Sequence, residues 1–191
     1  MAYPNSYRVG MSNLGFQAVL GAFLEQPGFH ARRVFWEGGS LRFPDGGRSL
    51  GEFDAVAISI SYQPDMVHLP RMMEAVMAAG DPEAAPLVIG GGVALTINPE
   101  TSSPLFDIVV LGDAEPVLPA LMNALGSGRP SKRDIISRLR GREGVYIPGD
   151  FGGRAGARSP AAPSPAPTGG VPAQRPAGRE GQGRWPARPA G

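Results

Sequence analysis

The sequence contains no cysteine among its 191 residues. It therefore cannot form disulfide bonds, thiolate zinc sites, a cysteine nucleophile, or an iron–sulfur cluster held by cysteines of this chain. It also lacks any apolar run near the roughly 18 residues of a membrane-spanning helix, and residues 1–5 lack the basic start and apolar block of a signal peptide. We therefore expect a cytoplasmic protein with no membrane partner.

Bulky apolar residues are scarce near the carboxyl terminus. Between residues 152 and 191, Pro, Gly, Ala and Arg make up 32 of 40 positions. Such a segment has little to bury and cannot offset the entropy lost on ordering. We predict one domain over residues 1–150 and a disordered Gly/Pro/Ala/Arg-rich tail over residues 151–191. The arginines of the tail are neither clustered nor interleaved with aromatic residues, so no specific nucleic-acid partner is predicted.

Apolar segments alternate with amphipathic ones along the first 150 residues. Strands are predicted at residues 7–11, 31–36, 53–61, 87–89 and 106–111, with a small hairpin arm at 41–43. Helices are predicted at residues 13–25, 65–79, 114–125 and 132–140, with a short helix or turn at 98–105 and a Gly/Pro-rich exit at 141–149. This alternation predicts an α/β fold: a flavodoxin-like (Rossmann-type), doubly wound parallel sheet of five strands in the order 2-1-3-4-5.

A triple glycine follows the fourth predicted strand. Residues 87–89 are apolar throughout, which is typical of a strand buried on both faces. Gly90, Gly91 and Gly92 then remove side chains at the carboxyl end of that strand. Ligands of open α/β sheets lie at this edge, and glycine lets a ligand or another backbone segment come close. We therefore expect a ligand or a close backbone contact at these glycines.

Four polar or glycine-rich turns are expected at the same edge, at residues 10–15, 59–62, 90–96 and 112–115. The first turn lacks the lysine and hydroxyl of a P-loop and the middle glycine of a dinucleotide fingerprint. The strand ends also lack the acidic residues and the lysine of a phosphoacceptor site. No Ser/His/Asp or paired-carboxylate constellation stands out, so hydrolysis is not predicted.

The turns resemble motifs of cobalamin-binding domains of the methionine-synthase and mutase type. Those domains carry D-x-H-x-x-G after strand one, S-x-L after strand three and G-G after strand four. In this sequence Gly15 takes the place of the first motif's glycine and Ser12 that of its histidine, while 43 residues separate Gly15 from Ser59 and 28 separate Ser61 from Gly90, as in that family. The resemblance implies that the nucleotide tail of cobalamin lies at the glycines of residues 90–92, with a hydrogen bond from the serine near strand three. Ser12 cannot replace the axial imidazole ligand of cobalt.

Longer segments narrow the resemblance to one family. Residues 3–17 (YPNSYRVGMSNLGFQ), 59–62 (SISY), 90–100 (GGGVALTINPE) and 112–115 (GDAE) are similar to the N-terminal cobalamin-binding-like domain of an uncharacterised family of B12-type radical SAM proteins. The similarity covers residues 3–150. The cofactor-binding residues that it implies are Ser12, Asn13, Gly15, Ser59, Ser61, Tyr62, Gly90, Gly91, Gly92, Thr96, Gly112 and Glu115.

Several of these residues also have a purely structural interpretation. Ser12 and Asn13 precede a predicted helix and are equally suited to cap it. Small hydroxyls at the end of a buried strand, as at residues 59–61, often satisfy nearby backbone groups. Glu115 is favoured in a first helical turn by the helix dipole. His30 and His68 lie away from the predicted strand ends, and we interpret both as surface or packing residues.

Members of the similar family continue into a barrel whose C-x-x-x-C-x-x-C triad holds a 4Fe–4S cluster and cleaves S-adenosylmethionine. Because this chain has no cysteine, we expect a domain truncated before that barrel and not catalytic alone, with a radical SAM domain or protein in trans as a partner. Two functions remain open. The domain binds cobalamin, or another corrinoid, without an axial histidine or has lost that ability; alternatively, it is a cofactor-free α/β docking module that contacts protein partners through the sheet edge or the methionine-rich helix.

Overall fold

A mostly parallel sheet of seven strands organises the described part of the chain. The computed structural model describes residues 1–46, 49–78, 85–126 and 130–148. The tail predicted at residues 151–191 lies outside these ranges, as do the ends of two other predicted segments, Ala79 and Gly149. The strands are β1 (Ala2–Tyr3), β2 (Val34–Glu37), β3 (Ser40–Arg42), β4 (Ala55–Ser59), β5 (Leu87–Gly91), β6 (Ile108–Val110) and β7 (Val145–Tyr146).

The strand order is β3-β2-β1-β4-β5-β6-β7. The inner five strands pair in parallel, whereas β3 and β7 pair antiparallel at the two edges. The predicted α/β class is confirmed, but the sheet has seven strands rather than five. The hairpin arm predicted at residues 41–43 forms β3. We predicted only an exit segment where β7 forms, because a two-residue strand between glycines shows no periodicity.

Six α-helices connect the described strands. They are α1 (Tyr7–Ser12), α2 (Leu14–Glu25), α3 (Leu69–Met77), α4 (Val93–Ile97), α5 (Leu118–Gly126) and α6 (Lys132–Leu139). Short 3₁₀ turns lie at Leu50–Glu52, Gln63–His68, Pro99–Thr101 and Ser103–Leu105. The helix predicted from residue 65 is thus divided into a 3₁₀ segment and α3. In the described ranges, no helix combines the length and apolar character required to cross a bilayer.

The first strand was predicted in the wrong place. Residues 7–11 form most of α1, and the strand is the preceding pair Ala2–Tyr3, which lies between β2 and β4. The helix begins after Ser6, whose hydroxyl accepts a hydrogen bond from the Val9 amide at 3.5 Å. Gly10 allows the helix to pack closely, because a Cβ there would lie 2.5 Å from the Phe35 ring. Tertiary packing thus overrides the strand-like alternation of this segment.

Helices cover both faces of the sheet. On one face, α3 buries Leu69, Met72 and Val76 against β4 and β5. On the other face, α5 and α6 pack with α2 against β5 and β6. Leu87 and Ile89 face one cluster and Val88 faces the other, so β5 is buried on both sides as predicted.

Candidate functional site

The carboxyl ends of the parallel strands bring together most of the residues predicted to bind a cofactor. Ser59 ends β4 opposite Gly91 near the end of β5, and Ser61 and Gly92 follow directly. Gly112 follows β6, and Asn13 precedes α2. The four predicted turns therefore converge at one edge, although the first of them follows α1 rather than a strand.

Asn13 connects two of these segments. Its side-chain amide donates a 2.8 Å hydrogen bond to the Ser61 hydroxyl. Its carbonyl oxygen accepts a 2.8 Å bond from the Phe16 amide, so Asn13 also caps α2. The structural interpretation of Asn13 is thus realised, and both polar groups of its side chain are engaged within the protein.

Thr96 makes a second connection across the edge. Its hydroxyl accepts a 2.9 Å hydrogen bond from the Gly112 amide and donates one of 3.2 Å to the Gly92 carbonyl. This arrangement links the segments that follow β5 and β6. Ser12 is also internally bonded, because its hydroxyl donates to the Val9 carbonyl at 2.8 Å within α1.

The three glycines have three different environments. A Cβ at Gly90 would lie 2.7 Å from Leu95 Cδ1 and 3.0 Å from the Phe106 ring, so packed side chains fill this position. A Cβ at Gly92 would lie 2.5 Å from the Ile60 carbonyl oxygen, and Gly92 has φ of +104°. At Gly91 the nearest atoms would be 3.9 Å away. Only Gly91 therefore has space that a side chain or ligand atom could enter.

That space is a small apolar cavity between the sheet, α2 and α5. Its volume is about 70 Å³. Val19 and Phe23 of α2, Leu118 and Leu121 of α5, and Gly91 contribute to its lining. Ser59, Gly90, Gly92 and Gly112 from the predicted set line it as well. The cavity is well below the several hundred cubic ångströms of a typical small-molecule site.

The remaining predicted residues lie outside this cavity. Gly15 lies in the first turn of α2, where a Cβ would be 3.4 Å from the side-chain oxygen Oδ1 of Asn13. Tyr62 is 63 % exposed beside the end of β4. Glu115 is exposed in the turn before α5. The edge therefore gathers the predicted residues without directing them at a common point.

Exposed apolar side chains are concentrated at the same edge. Among the described residues, eight large apolar side chains are strongly exposed, and six of them belong to the segments that follow β1, β4 and β5. We call these six the apolar edge: Val9, Leu14, Tyr62, Val67, Val93 and Ile97. Leu14 is 80 % exposed and Ile97 is 74 % exposed. The other two, Leu24 and Met77, lie at the far ends of α2 and α3.

The structure adds a polar pair that we did not predict. The Asn5 side-chain amide donates a 2.8 Å hydrogen bond to Asp65 Oδ1, and Asp65 is only 5 % exposed. The sequence pattern predicts Asp65 as the first residue of a helix over residues 65–79. Its burial depends on the 3₁₀ segment and on contact with the turn after β1, which no local pattern indicates.

A carboxyl group with a lowered pKa lies away from the carboxyl edge, in the loop after β3. Hydrogen bonds from Arg33, assisted by its positive charge, hold the pKa of the Asp45 carboxyl below its usual value. Arg33 directly precedes β2, so this pair fixes the loop after β3 to the amino end of that strand. It does not contribute to the carboxyl edge.

Neither histidine lines the edge cavity. His68 stacks on Trp36 with ring centroids 5.7 Å apart, and His30 lines a cleft at the end of α2. Within the ranges that the structure describes, no three His, Asp or Glu side chains are grouped as a metal site. Both imidazoles thus have surroundings other than the edge cavity.

One comparison with known proteins gives a match. The sequence model of the family described as "Radical SAM proteins, N-terminal" matches residues 15–148, which is more than half of the chain. Neither the curated proteins nor the solved structures include a match. The matched range includes α2 from its second residue and the inner strands β2, β4, β5 and β6. It also includes the predicted site residues from Gly15 onward.

Proposed function

Because the chain belongs to the family of N-terminal domains of radical SAM proteins, we propose that it is a docking domain whose apolar edge packs against the domain that carries the radical chemistry. The covering domain belongs to the same or to a separate polypeptide. Iron–sulfur binding and cleavage of S-adenosylmethionine would be functions of that domain, since this chain has no cysteine to hold a cluster.

The concentration of exposed apolar side chains supports this proposal. Six large apolar residues on one edge are more than scattered surface positions require, and clustered apolar exposure is typical of interaction sites. Val93 and Ile97 are four residues apart in α4, so they project from one side of that helix. The side chains of Asn13, Ser61 and Thr96 at this edge are bonded within the protein, which lowers the cost of covering them with another protein.

We further propose that the inner five strands form a flavodoxin-type arrangement. Their order, β2-β1-β4-β5-β6, corresponds to 2-1-3-4-5 when β3 and β7 are treated as additions at the two edges. In that arrangement the strand order reverses between β1 and β4, where ligands of open α/β sheets commonly bind. The apolar edge extends across this reversal point.

The docking proposal is tested by measuring the affinity of the full chain for a purified radical SAM domain from a longer member of the family. Leu14→Ser and Ile97→Ser should each weaken binding about tenfold or more, because burial of such a side chain contributes about 1.5–3 kcal/mol. Leu24→Ser and Met77→Ser are matched controls, since both side chains are exposed away from the edge. Equal losses in edge and control variants would contradict the proposal.

Corrinoid binding is a second candidate function. The apolar cavity at Gly91 favours it, because the cavity lies where the family resemblance expects the nucleotide tail of cobalamin. The fit is incomplete, however. The cavity of about 70 Å³ is too small for a nucleotide unless α2 and α5 separate, and no imidazole lines it.

A spectroscopic experiment separates the two functions. The full chain is mixed with hydroxocobalamin and desalted, and the visible spectrum of the protein fraction is recorded. Retained corrin absorption of the base-off type, unchanged in His30→Ala and His68→Ala variants, would support corrinoid binding without an axial histidine. Loss of all corrin absorption on desalting would exclude stable corrinoid binding.

A further inference from the structure

One buried carboxyl oxygen has no hydrogen-bond partner among the described residues. Asp65 is 5 % exposed, and its Oδ1 accepts a bond from Asn5, but Oδ2 is buried and unpaired. Burying a carboxyl oxygen without a donor is costly, and native proteins rarely keep such a group without a reason. The apolar contacts of docking give no reason for a buried carboxyl group at Asp65.

Asp65 and Asn5 follow the two strands between which the strand order of the sheet reverses. Asn5 follows β1 and Asp65 follows β4, and these two strands are direct neighbours in the sheet. The strand order reverses between them. Asp65 therefore lies beside the reversal of strand order, the position at which open α/β sheets commonly bind ligands. Its turn also carries Tyr62 and Val67 of the apolar edge.

The segment that carries Asp65 has an unusual conformation. Gln63–His68 is a six-residue 3₁₀ helix that continues directly into α3. 3₁₀ turns are frequent at the start of an α-helix, but runs longer than three or four residues are uncommon. A rearrangement of this segment would expose Asp65 Oδ2 without breaking the sheet.

From these observations we infer that Asp65 is the acceptor for a cationic side chain of the protein that covers the apolar edge. The 3₁₀ segment opens on docking, and a guanidinium or ammonium group of the partner donates to Oδ2 while Asn5 holds Oδ1. A cation is the preferred donor because charge-assisted hydrogen bonds to a carboxylate are stronger than neutral ones. The apolar side chains around such a pair would exclude water from it, as the surroundings of an interface hot spot do.

This inference rests on the proposed docking function, and the test separates the two. Binding of the purified radical SAM domain is measured for the full chain and for Asp65→Asn, which keeps the size of the side chain and removes its charge. We expect an affinity loss of about tenfold or more together with an unchanged or higher unfolding midpoint, because a neutral amide is less costly to bury. A purely structural role for Asp65 would instead lower the midpoint and leave the affinity unchanged.

The variants of the apolar edge serve as the reference. If Ile97→Ser weakens binding and Asp65→Asn does not, docking stands and the role of Asp65 is refuted. If neither weakens binding, both proposals fail.

Nuclear magnetic resonance of the wild-type chain gives a second readout should Asp65→Asn not fold. The side-chain amide signals of Asn5 should shift on docking, because its amide bonds the same carboxyl group. The exposed Asn123 in α5 should not shift. Shifts at Asn98, which directly follows Ile97 of the apolar edge, without a shift at Asn5 would overturn the inference.

Discussion

Asn13 and Ser61, 48 positions apart in the sequence, are joined by a 2.8 Å side-chain hydrogen bond at the carboxyl edge of the sheet. The same Asn13 side chain caps α2 through its carbonyl oxygen. One side chain thus fixes the start of a helix to the end of a central strand.

Two substitutions should separate these contributions. Asn13→Ala removes both bonds and should lower the free energy of unfolding by about 1–2 kcal/mol. Ser61→Ala keeps the capping oxygen of Asn13 and removes only the bond between the two side chains, so it should cost less. Urea denaturation of the three proteins measures the difference. An equal loss in both variants would mean that the bond to Ser61, and not the cap, accounts for the stability.

Alanine at each of the three glycines should give a graded series. Gly92→Ala should be the most destabilising, because its positive φ alone costs about 1–3 kcal/mol and its Cβ would meet the Ile60 carbonyl. Gly90→Ala should cost less, because the Leu95 side chain can shift away. Gly91→Ala should be neutral or slightly stabilising, since its Cβ meets nothing closer than 3.9 Å. Thermal unfolding midpoints measure the order. A midpoint for Gly91→Ala below that of Gly92→Ala would contradict the prediction.

Two helical glycines should respond to alanine with opposite signs. Gly10→Ala places a Cβ 2.5 Å from the Phe35 ring, and such overpacking should destabilise the fold by about 1–3 kcal/mol. Gly21→Ala in α2 meets nothing within 4 Å and should stabilise it by up to about 1 kcal/mol through helix propensity. Denaturation of both variants under one condition makes the comparison. A stabilising Gly10→Ala would show that α1 does not pack against β2.

The Arg33–Asp45 pair predicts a pH dependence. The pKa of Asp45 is lowered in the folded state by hydrogen bonds from Arg33. Its contribution to stability is therefore complete above the unfolded pKa of about 3.9 and is lost as the pH falls through the lower, folded pKa. Asp45→Asn should be less stable than wild type at pH 7, and the difference should narrow at about pH 3 and below. Urea midpoints at several pH values provide the measurement.

The Arg71–Glu74 pair is a matched control for that experiment. Its side chains are 70 % and 65 % exposed, so solvent screens the interaction. Glu74→Gln should change the unfolding midpoint little at any pH. If Asp45→Asn behaved in the same way, the Arg33 contact would have no energetic role.

The sequence predicted those elements whose patterns are long and local. The apolar runs of β4, β5 and β6 appear directly in the residue order, and α2 begins one residue after its capping Asn13. β1 could not be predicted in the same way, because a two-residue strand has no period. Residues 7–11 alternate like a strand, yet the contact of Gly10 with Phe35 favours a helix, and that contact depends on a partner 25 positions away.

The site was predictable only in its location. The glycines and hydroxyls at the strand ends indicated the carboxyl edge, and the structure brings them together there. Their individual roles depend on neighbours that are distant in sequence. Phe106 fills the position of a side chain at Gly90, and Ile60 approaches Gly92. Asp65 was missed because a buried acid and a solvated acid in a first helical turn look identical in one sequence.

The direction of β7 sets the length of tether that a covering domain would need. β7 runs antiparallel to β6, so at Pro148 the chain is heading for the amino edge, opposite to the apolar edge. A strand of five residues spans roughly 17 Å, and a connection in the same polypeptide must cross that height before it can fold over the edge. A connection too short to do so would leave docking to a separate molecule and make it depend on concentration. A longer one would hold the partner at an effective concentration in the millimolar range, decreasing as the connection lengthens.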